Sequence, residues 1–171
     1  MADPRIASRL REMPLFADLR PRELALLALV MQEVSWTAGE TIFRQGEAAD
    51  SCFFLLDGAV DVIAENARGA ARELATLRAG QIFGQIALVD EDPRSATCVA
   101  RDDSFALQLL REDFDMLFSS GSQFAYRFQA VIALTAVDSL RLANHRLNEL
   151  VGLAQDNDKR VGQVQRILEG K

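Results

Sequence analysis

The chain has 171 residues, 49% of them hydrophobic, which suits one well-buried core with a tail rather than two domains. Its formal charge is −6, its pI is near 4.9, and no five-residue window is rich in Lys or Arg, so the electrostatic footprint of a nucleic-acid binder is missing. The opening MADPRIASRLREM lacks an apolar core behind its charges, and no run approaches the roughly 18 unbroken apolar residues of a membrane span, which predicts a soluble, cytoplasmic chain with no membrane partner.

Helical spacing comes first along the chain. Ile6, Leu10 and Met13, then Leu24, Leu27 and Val30 or Met31, predict helices over 5–13 and 21–32, linked by Pro14-Leu15-Phe16, with Pro21 where a first turn tolerates it. From Glu33 to Leu110 the pattern changes to short runs rich in Val, Ile, Phe and Thr. Val34–Trp36, Thr41–Phe43, Cys52–Leu56, Ala59–Ala64, Glu73–Leu77, Ala96–Ala100 and Phe105–Leu109 each read as a strand, with Gly39, Gly46, Gly58 and Gly80 between them. Short strands at this spacing imply a sandwich or barrel. The small, polar stretch Asn66–Ala71 reads as a hairpin tip. Cys52 and Cys98 lie inside strand-like runs, which suits buried reduced thiols. With His145 as the single histidine, and a helix-surface residue by its surroundings, a metal site has no ligand set and no resident cofactor is expected.

The stretch Ala79–Ala100, AGQIFGQIALVDEDPRSATCVA, has the layout of an anion cradle. Gly80 and Gly84 precede a short apolar run, Ile86–Val89; a glycine takes positive φ and admits a ligand to bare backbone. A short helix starting near Gly84 would aim its opening N–H groups outward. Arg94 adds a fork of donors and Ser95 a hydroxyl, so one phosphate is the natural guest. The alternative use of Arg94 is an internal ion pair, for which Asp90, Glu91 and Asp92 are the candidates.

After a short helix over Asp113–Ser119, broken by Gly121-Ser122, the segment from Phe124 to Ala154 is too long for an ordinary globular helix. Ala130, Ala133, Val137, Leu140, Asn144, Leu147, Val151 and Ala154 recur at alternating spacings of three and four. That heptad seam has Val137, Asn144 and Val151 at a and Leu140 and Leu147 at d, the pattern of a parallel two-stranded coiled coil, and so predicts a homodimer. A second stripe, Phe128, Val131 or Ile132 and Leu134 or Thr135, is available for packing on the chain's own domain. The remaining tail is polar.

The run Phe83, Gly84, Gln85, Ile86 to Val89, then Pro93, Arg94, Ser95, Ala96 and Thr97, resembles the phosphate-binding cassette of cyclic nucleotide-binding domains, whose pattern is roughly F-G-E, an apolar run, and P-R-S/A-A-T. That module is shared by catabolite activator-like regulators, protein kinase A regulatory subunits and cyclic nucleotide-gated channels. Ala38-Gly39-Glu40, Arg44-Gln45-Gly46-Glu47, Asp50-Ser51 and Phe53 to Gly58 resemble the family's glycine-turned strands, so the likeness covers roughly residues 12–150. It implies an α+β, mainly β fold: a jelly-roll-like β-roll of about eight strands over 33–121. Helices over 1–32 would precede the roll, with a long C-terminal helix over 122–154 and a polar tail over 155–171 behind it. The ligand it implies is cAMP or cGMP, bound by Phe83, Gly84, Gln85, Ile86, Ala87, Arg94, Ser95 and Ala96. It places Val62 and Leu74 on the inner wall over purine and ribose, and Ser139 or Arg141 near the purine on a helix that is both lid and dimer axis.

Gln85 departs from the pattern, since the family's acid there accepts the ribose 2′-hydroxyl. Hydrogen bonds to a charged partner contribute about 1.5–3 kcal/mol and neutral ones about 0.5–1.5, so the exchange weakens binding by about 1–2 kcal/mol, roughly five- to thirtyfold. Glutamine's carbonyl still accepts from a hydroxyl, and the lost carboxylate no longer repels the cyclic phosphate. Two readings follow: a sensor that passes ligand occupancy to a downstream partner protein, and a degenerate roll that serves as a dimeric docking module without nucleotide. The tail is too short for a winged helix-turn-helix, and no acid–base dyad with a nucleophile is present, so neither a transcription factor nor an enzyme is expected. Met1 and the polar tail argue for a complete protein over one excised from a larger channel or kinase.

Overall fold

The computed structural model describes residues 4–65, 69–119 and 125–135, together with 137, 141 and 145. They fall into two compact units, 1–132 and 133–171.

The first unit opens with α1 (Pro4–Glu12), a 3-10 turn at Pro14–Phe16 and α2 (Pro21–Val30). Pro14 and Pro21 sit in the opening turns of their helices, where a missing N–H costs nothing. Leu10, Phe16, Leu24 and Leu27 are fully buried, so the apolar stripes that predict these helices are the faces they pack.

Eight strands follow: β1 (Gln32–Trp36), β2 (Thr41–Phe43), β3 (Ser51–Asp57), β4 (Ala59–Glu65), β5 (Ala71–Arg78), β6 (Ile82–Phe83), β7 (Thr97–Ala100) and β8 (Ser104–Leu110). They form two four-stranded antiparallel sheets, ordered β1-β8-β3-β6 and β2-β7-β4-β5. This is the expected β-roll with flanking helices. The strand without a sequence signal of its own is β6, two residues held against Phe53 and Phe54.

One strand serves both layers. Cys52 and Phe54 of β3 join the helix-side cluster, while Phe53 and Leu55 join Val60, Phe83, Cys98 and Ala106 inside the roll. Side chains alternate along a strand, so one covered on both faces reads as the unbroken apolar run CFFLL. On the helix side Phe16 lies 5.3 Å from Phe54 and 6.2 Å from Phe128 between ring centroids.

Four turns are closed by one local device, a main-chain N–H donating to a side-chain oxygen three residues on. Arg20 donates to Glu23 at 2.7 Å, Thr37 to Glu40 at 3.0 Å, Arg44 to Glu47 at 2.8 Å and Arg78 to Gln81 at 2.8 Å. Each bracket satisfies an amide that its turn would otherwise strand. Between β3 and β4, Gly58 has φ +83, and a Cβ there would overlap Ser104 Oγ and the Asp103 carbonyl, so the hairpin admits no side chain.

Cys52 and Cys98 are free and buried, as their runs predict. Burial pushes the Cys98 thiol up to about 12 and that of Cys52 higher still. Raised values keep both thiols protonated through neutral pH, so alkylation by iodoacetamide at pH 8 is expected to proceed only as fast as the protein opens. Mass spectrometry checks this: rapid labelling of folded protein would contradict it.

The helix α3 (Arg111–Ser119) follows β8 directly, two residues ahead of its expected start. Residues 125–132 are helical and end the first unit, burying Ala125, Phe128 and Ile132. Arg127 ties this helix to α2, with Nη1 3.4 Å from Glu23 Oε2 and Nη2 donating to the Asp18 carbonyl at 2.6 Å. In the second unit the described positions 133–135, 137, 141 and 145 are helical, with Leu134 and Val137 exposed. Ser139, Leu140, Asn144, Leu147 and Val151 lie outside the described residues.

Candidate functional site

The cassette starts where β6 ends. Gly84 has φ +71 and leads into a 3-10 turn over Gln85–Leu88, in which the Ala87 N–H donates to the Gly84 carbonyl at 3.1 Å. The turn closes on the Ile86 carbonyl, which accepts from Val89 at 3.0 Å and Asp90 at 2.9 Å. A helical turn leaves its opening N–H groups outside its own ladder, and here they follow a residue without a side chain.

The backbone of Arg94 is fixed on the 44–47 turn. Its carbonyl accepts from the Gly46 N–H and its N–H donates to the Glu47 carbonyl, both at 2.8 Å, while the Gln45 N–H donates to Thr97 Oγ1 at 3.0 Å. The side chain runs inward and is 6% exposed. Nη1 donates to the Ser51 carbonyl at 2.7 Å and the Gly84 carbonyl at 3.3 Å, and Nη2 donates to Ser51 Oγ at 3.1 Å. Cζ stands 4.2 Å from the centroid of Phe43. Nε is buried and has no hydrogen-bond partner among the described residues.

The internal counter-charge is Asp50, 3.9 Å from Arg94 Nη2, and not the acidic turn. The expectation for Asp90, Glu91 and Asp92 fails: among the described residues the ion pair of Arg94 is with Asp50, and Glu91 instead lies 4.0 Å from Arg111 Nη1. Asp50 is itself 81% exposed, so it pairs with Arg94 through solvent-screened charge. Burial consequently holds the Arg94 pKa below its ordinary value, with Asp50 opposing that shift. A buried guanidinium with one screened counter-ion and one vacant donor is suited to oxygens of a phosphate.

The other expected site residues divide by environment. Gln85, Ala87 and Ala96 are buried beside Arg94 in the cassette, whereas Ile86 and Ser95 are exposed. Phe83 stacks on Phe53 at 5.1 Å, so its ring belongs to the core of the roll. Val62 packs half-buried against that core. Leu74, expected to be buried as an apolar strand residue, is 42% exposed: the β4–β5 register shifts between Val62 and Ile63, which pair with Ala75 and Glu73 and leave Leu74 in the bulge. Arg141 is exposed on the helical second unit. Asp50 and Ser51 carry no signal in the sequence beyond the glycine-turned strand pattern, and their contacts with Arg94 cross more than 40 positions, which no local periodicity reports.

Gly84→Ala would place a Cβ 2.7 Å from Arg94 Nη1 at a φ that disfavours side chains. A stability loss of about 1–2 kcal/mol, read by urea unfolding, is expected from the left-handed backbone alone, together with displacement of the Arg94 guanidinium.

The family model of the cyclic nucleotide-binding domain matches residues 33–120, from β1 through the cassette to α3. The chain belongs to this family. The cyclic nucleotide-binding domain is 34% identical over 120 residues to the cyclic AMP receptor protein of Thermus thermophilus, covering 70% of this chain and 56% of that one. It is 32% identical over 108 residues to the cAMP-dependent protein kinase regulatory subunit of Aspergillus niger, covering 63% of this chain and 26% of the subunit. The chain thus spans between a quarter and just over half of these relatives. In fold it is similar to a cyclic nucleotide-binding domain from Methylobacillus flagellatus, with a TM-score of 0.74 over 82% of this chain and 79% of that one at 23% identity.

Proposed function

We propose that this domain binds a cyclic mononucleotide, cAMP or cGMP, and acts as a regulatory module that passes occupancy to a partner protein by movement of its C-terminal helix. The observation that carries the reading is Arg94: a buried guanidinium beside a left-handed glycine, with its Nε vacant among the described residues. In this reading Arg94, the Ser95 hydroxyl and the amides after Gly84 hold the cyclic phosphate. The Gln85 side-chain oxygen accepts a ribose hydroxyl, and Val62 with the bulged Leu74 gives the base an apolar wall. The cassette groups are donors and acceptors suited to gripping oxygens, which supports the sensor reading. Signalling then needs only linkage: ligand favours the arrangement in which cassette and helix close together. The exposed Val137 supports a homodimer through Val137, Leu140, Asn144, Leu147 and Val151. Among the described residues no helix is long and apolar enough to cross a membrane, and a cytoplasmic setting fits the reading.

Calorimetric titration of cAMP and of cGMP into protein that has been unfolded, stripped of copurified nucleotide and refolded tests the proposal. Saturable binding by one or both nucleotides is expected, and Gln85→Glu is expected to tighten it by roughly five- to thirtyfold. No heat from folded protein would instead favour the docking module. Sedimentation at increasing concentration checks the dimer, which a concentration-independent monomer would exclude.

A further inference from the structure

Arg111, the first residue of α3, has a side chain 22% exposed and bridges two distant segments. Nη2 donates to the Ala49 carbonyl at 2.9 Å and also to the Asp90 carbonyl, while Nη1 lies 4.0 Å from Glu91 Oε1. Its main-chain N–H donates to the Asp50 carbonyl at 2.7 Å. One residue therefore fastens the start of α3 to the approach to β3 and to the end of the cassette. Arg94 holds the same approach from within the site, through the Ser51 carbonyl, Ser51 Oγ and the Asp50 carboxylate. The two arginine side chains thus grip adjacent residues of one segment, Arg111 the Ala49 carbonyl and Arg94 Asp50 and Ser51.

We propose that Arg111 is a positioning residue that couples Arg94 to the N-terminus of α3, because its side chain anchors on Ala49, next to the Asp50 and Ser51 that Arg94 holds. An anion that draws Arg94 away from Ser51 shifts the acceptors on which α3 is fastened, so that occupancy of the cassette is felt in the helix after the roll. A planar fork can hold two carbonyls at fixed separation, which the point charge of a lysine does not reproduce. That the anion is a cyclic nucleotide rests on the function proposed above; the coupling between the two arginines does not.

A double-mutant cycle read by amide hydrogen exchange in NMR tests the coupling without ligand. Arg94→Lys is expected to change protection of the α3 amides beyond residue 111 by about threefold or more, and to leave those amides unchanged in an Arg111→Met background, the residue-111 amide being set aside because its main-chain bond to Asp50 survives the substitution. Amides of β4 serve as the control for global destabilisation, which would move them too. Equal changes in both backgrounds, or no change in either, overturn the proposal. Should Arg111→Met fail to fold, Arg111→Lys takes its place in the cycle with the same criteria. In a second arm, cAMP is added to the full chain: the Arg111 variant is expected to keep its affinity within about threefold while losing the ligand-induced change in α3. Retention of that change overturns the coupling. Failure of the parent protein to bind in calorimetry counts against the proposed function alone, since the ligand-free cycle still decides the role of Arg111.

Discussion

Arg94→Ala is expected to weaken the proposed cyclic nucleotide binding by at least about 2 kcal/mol, roughly thirtyfold, because in that reading the phosphate loses its charged, forked donor in a site that holds no other buried cation among the described residues. The variant carries a second, separable effect. It strips the donors from the Ser51 and Gly84 carbonyls, and a buried acceptor left dry costs about 1–3 kcal/mol. Removal of a buried charge offsets part of that loss. Arg94→Lys separates the two effects, since it keeps the charge and gives up the fork. Calorimetry beside urea unfolding on both variants checks the expectation: an unchanged affinity in folded Arg94→Ala would remove Arg94 from the phosphate site.

Phe54→Ala is expected to have the largest effect on stability, a loss of about 3–5 kcal/mol. The ring is fully buried on the helix side of β3, 5.3 Å from Phe16, in the cluster that also holds Leu107, Leu109 and Phe128. Against a total of about 5–15 kcal/mol for a domain, that loss takes a large part of the margin. Urea unfolding gives the answer as a lower midpoint at unchanged slope. A loss below about 1 kcal/mol would mean that the neighbouring rings close the cavity.

Elements whose cause is local were legible in the sequence. The stripes Ile6, Leu10, Met13 and Leu24, Leu27 predict the helices, Cys52–Leu56 predicts a strand, and Gly84 before an apolar run predicts a glycine turn into a short helical one. What stayed hidden was set by the partner strand or by distance along the chain. The two residues of β6 carry no period and are a strand only because Phe53 and Phe54 pair with them. Leu74 obeys a register fixed by β4. Asp50 reaches Arg94 across the chain, whereas the nearer acids Asp90 to Asp92 turn outward, so proximity in sequence pointed to the wrong counter-charge. Arg111 reads as an unremarkable strand-to-helix boundary until its two carbonyl acceptors are seen.

The pairing of β1 with β8 also fixes how the roll bears force. Gln32 faces Gln108 in an antiparallel ladder, so the chain enters and leaves the two-sheet body at the same end of adjacent strands. Tension applied through the flanking segments, once the helices are drawn off, loads the ladder from that end and breaks its hydrogen bonds one pair at a time rather than all together. Such a peeling geometry is mechanically soft, and a pull from outside the roll would open its outermost strand long before it reached the Arg94 cradle on β3.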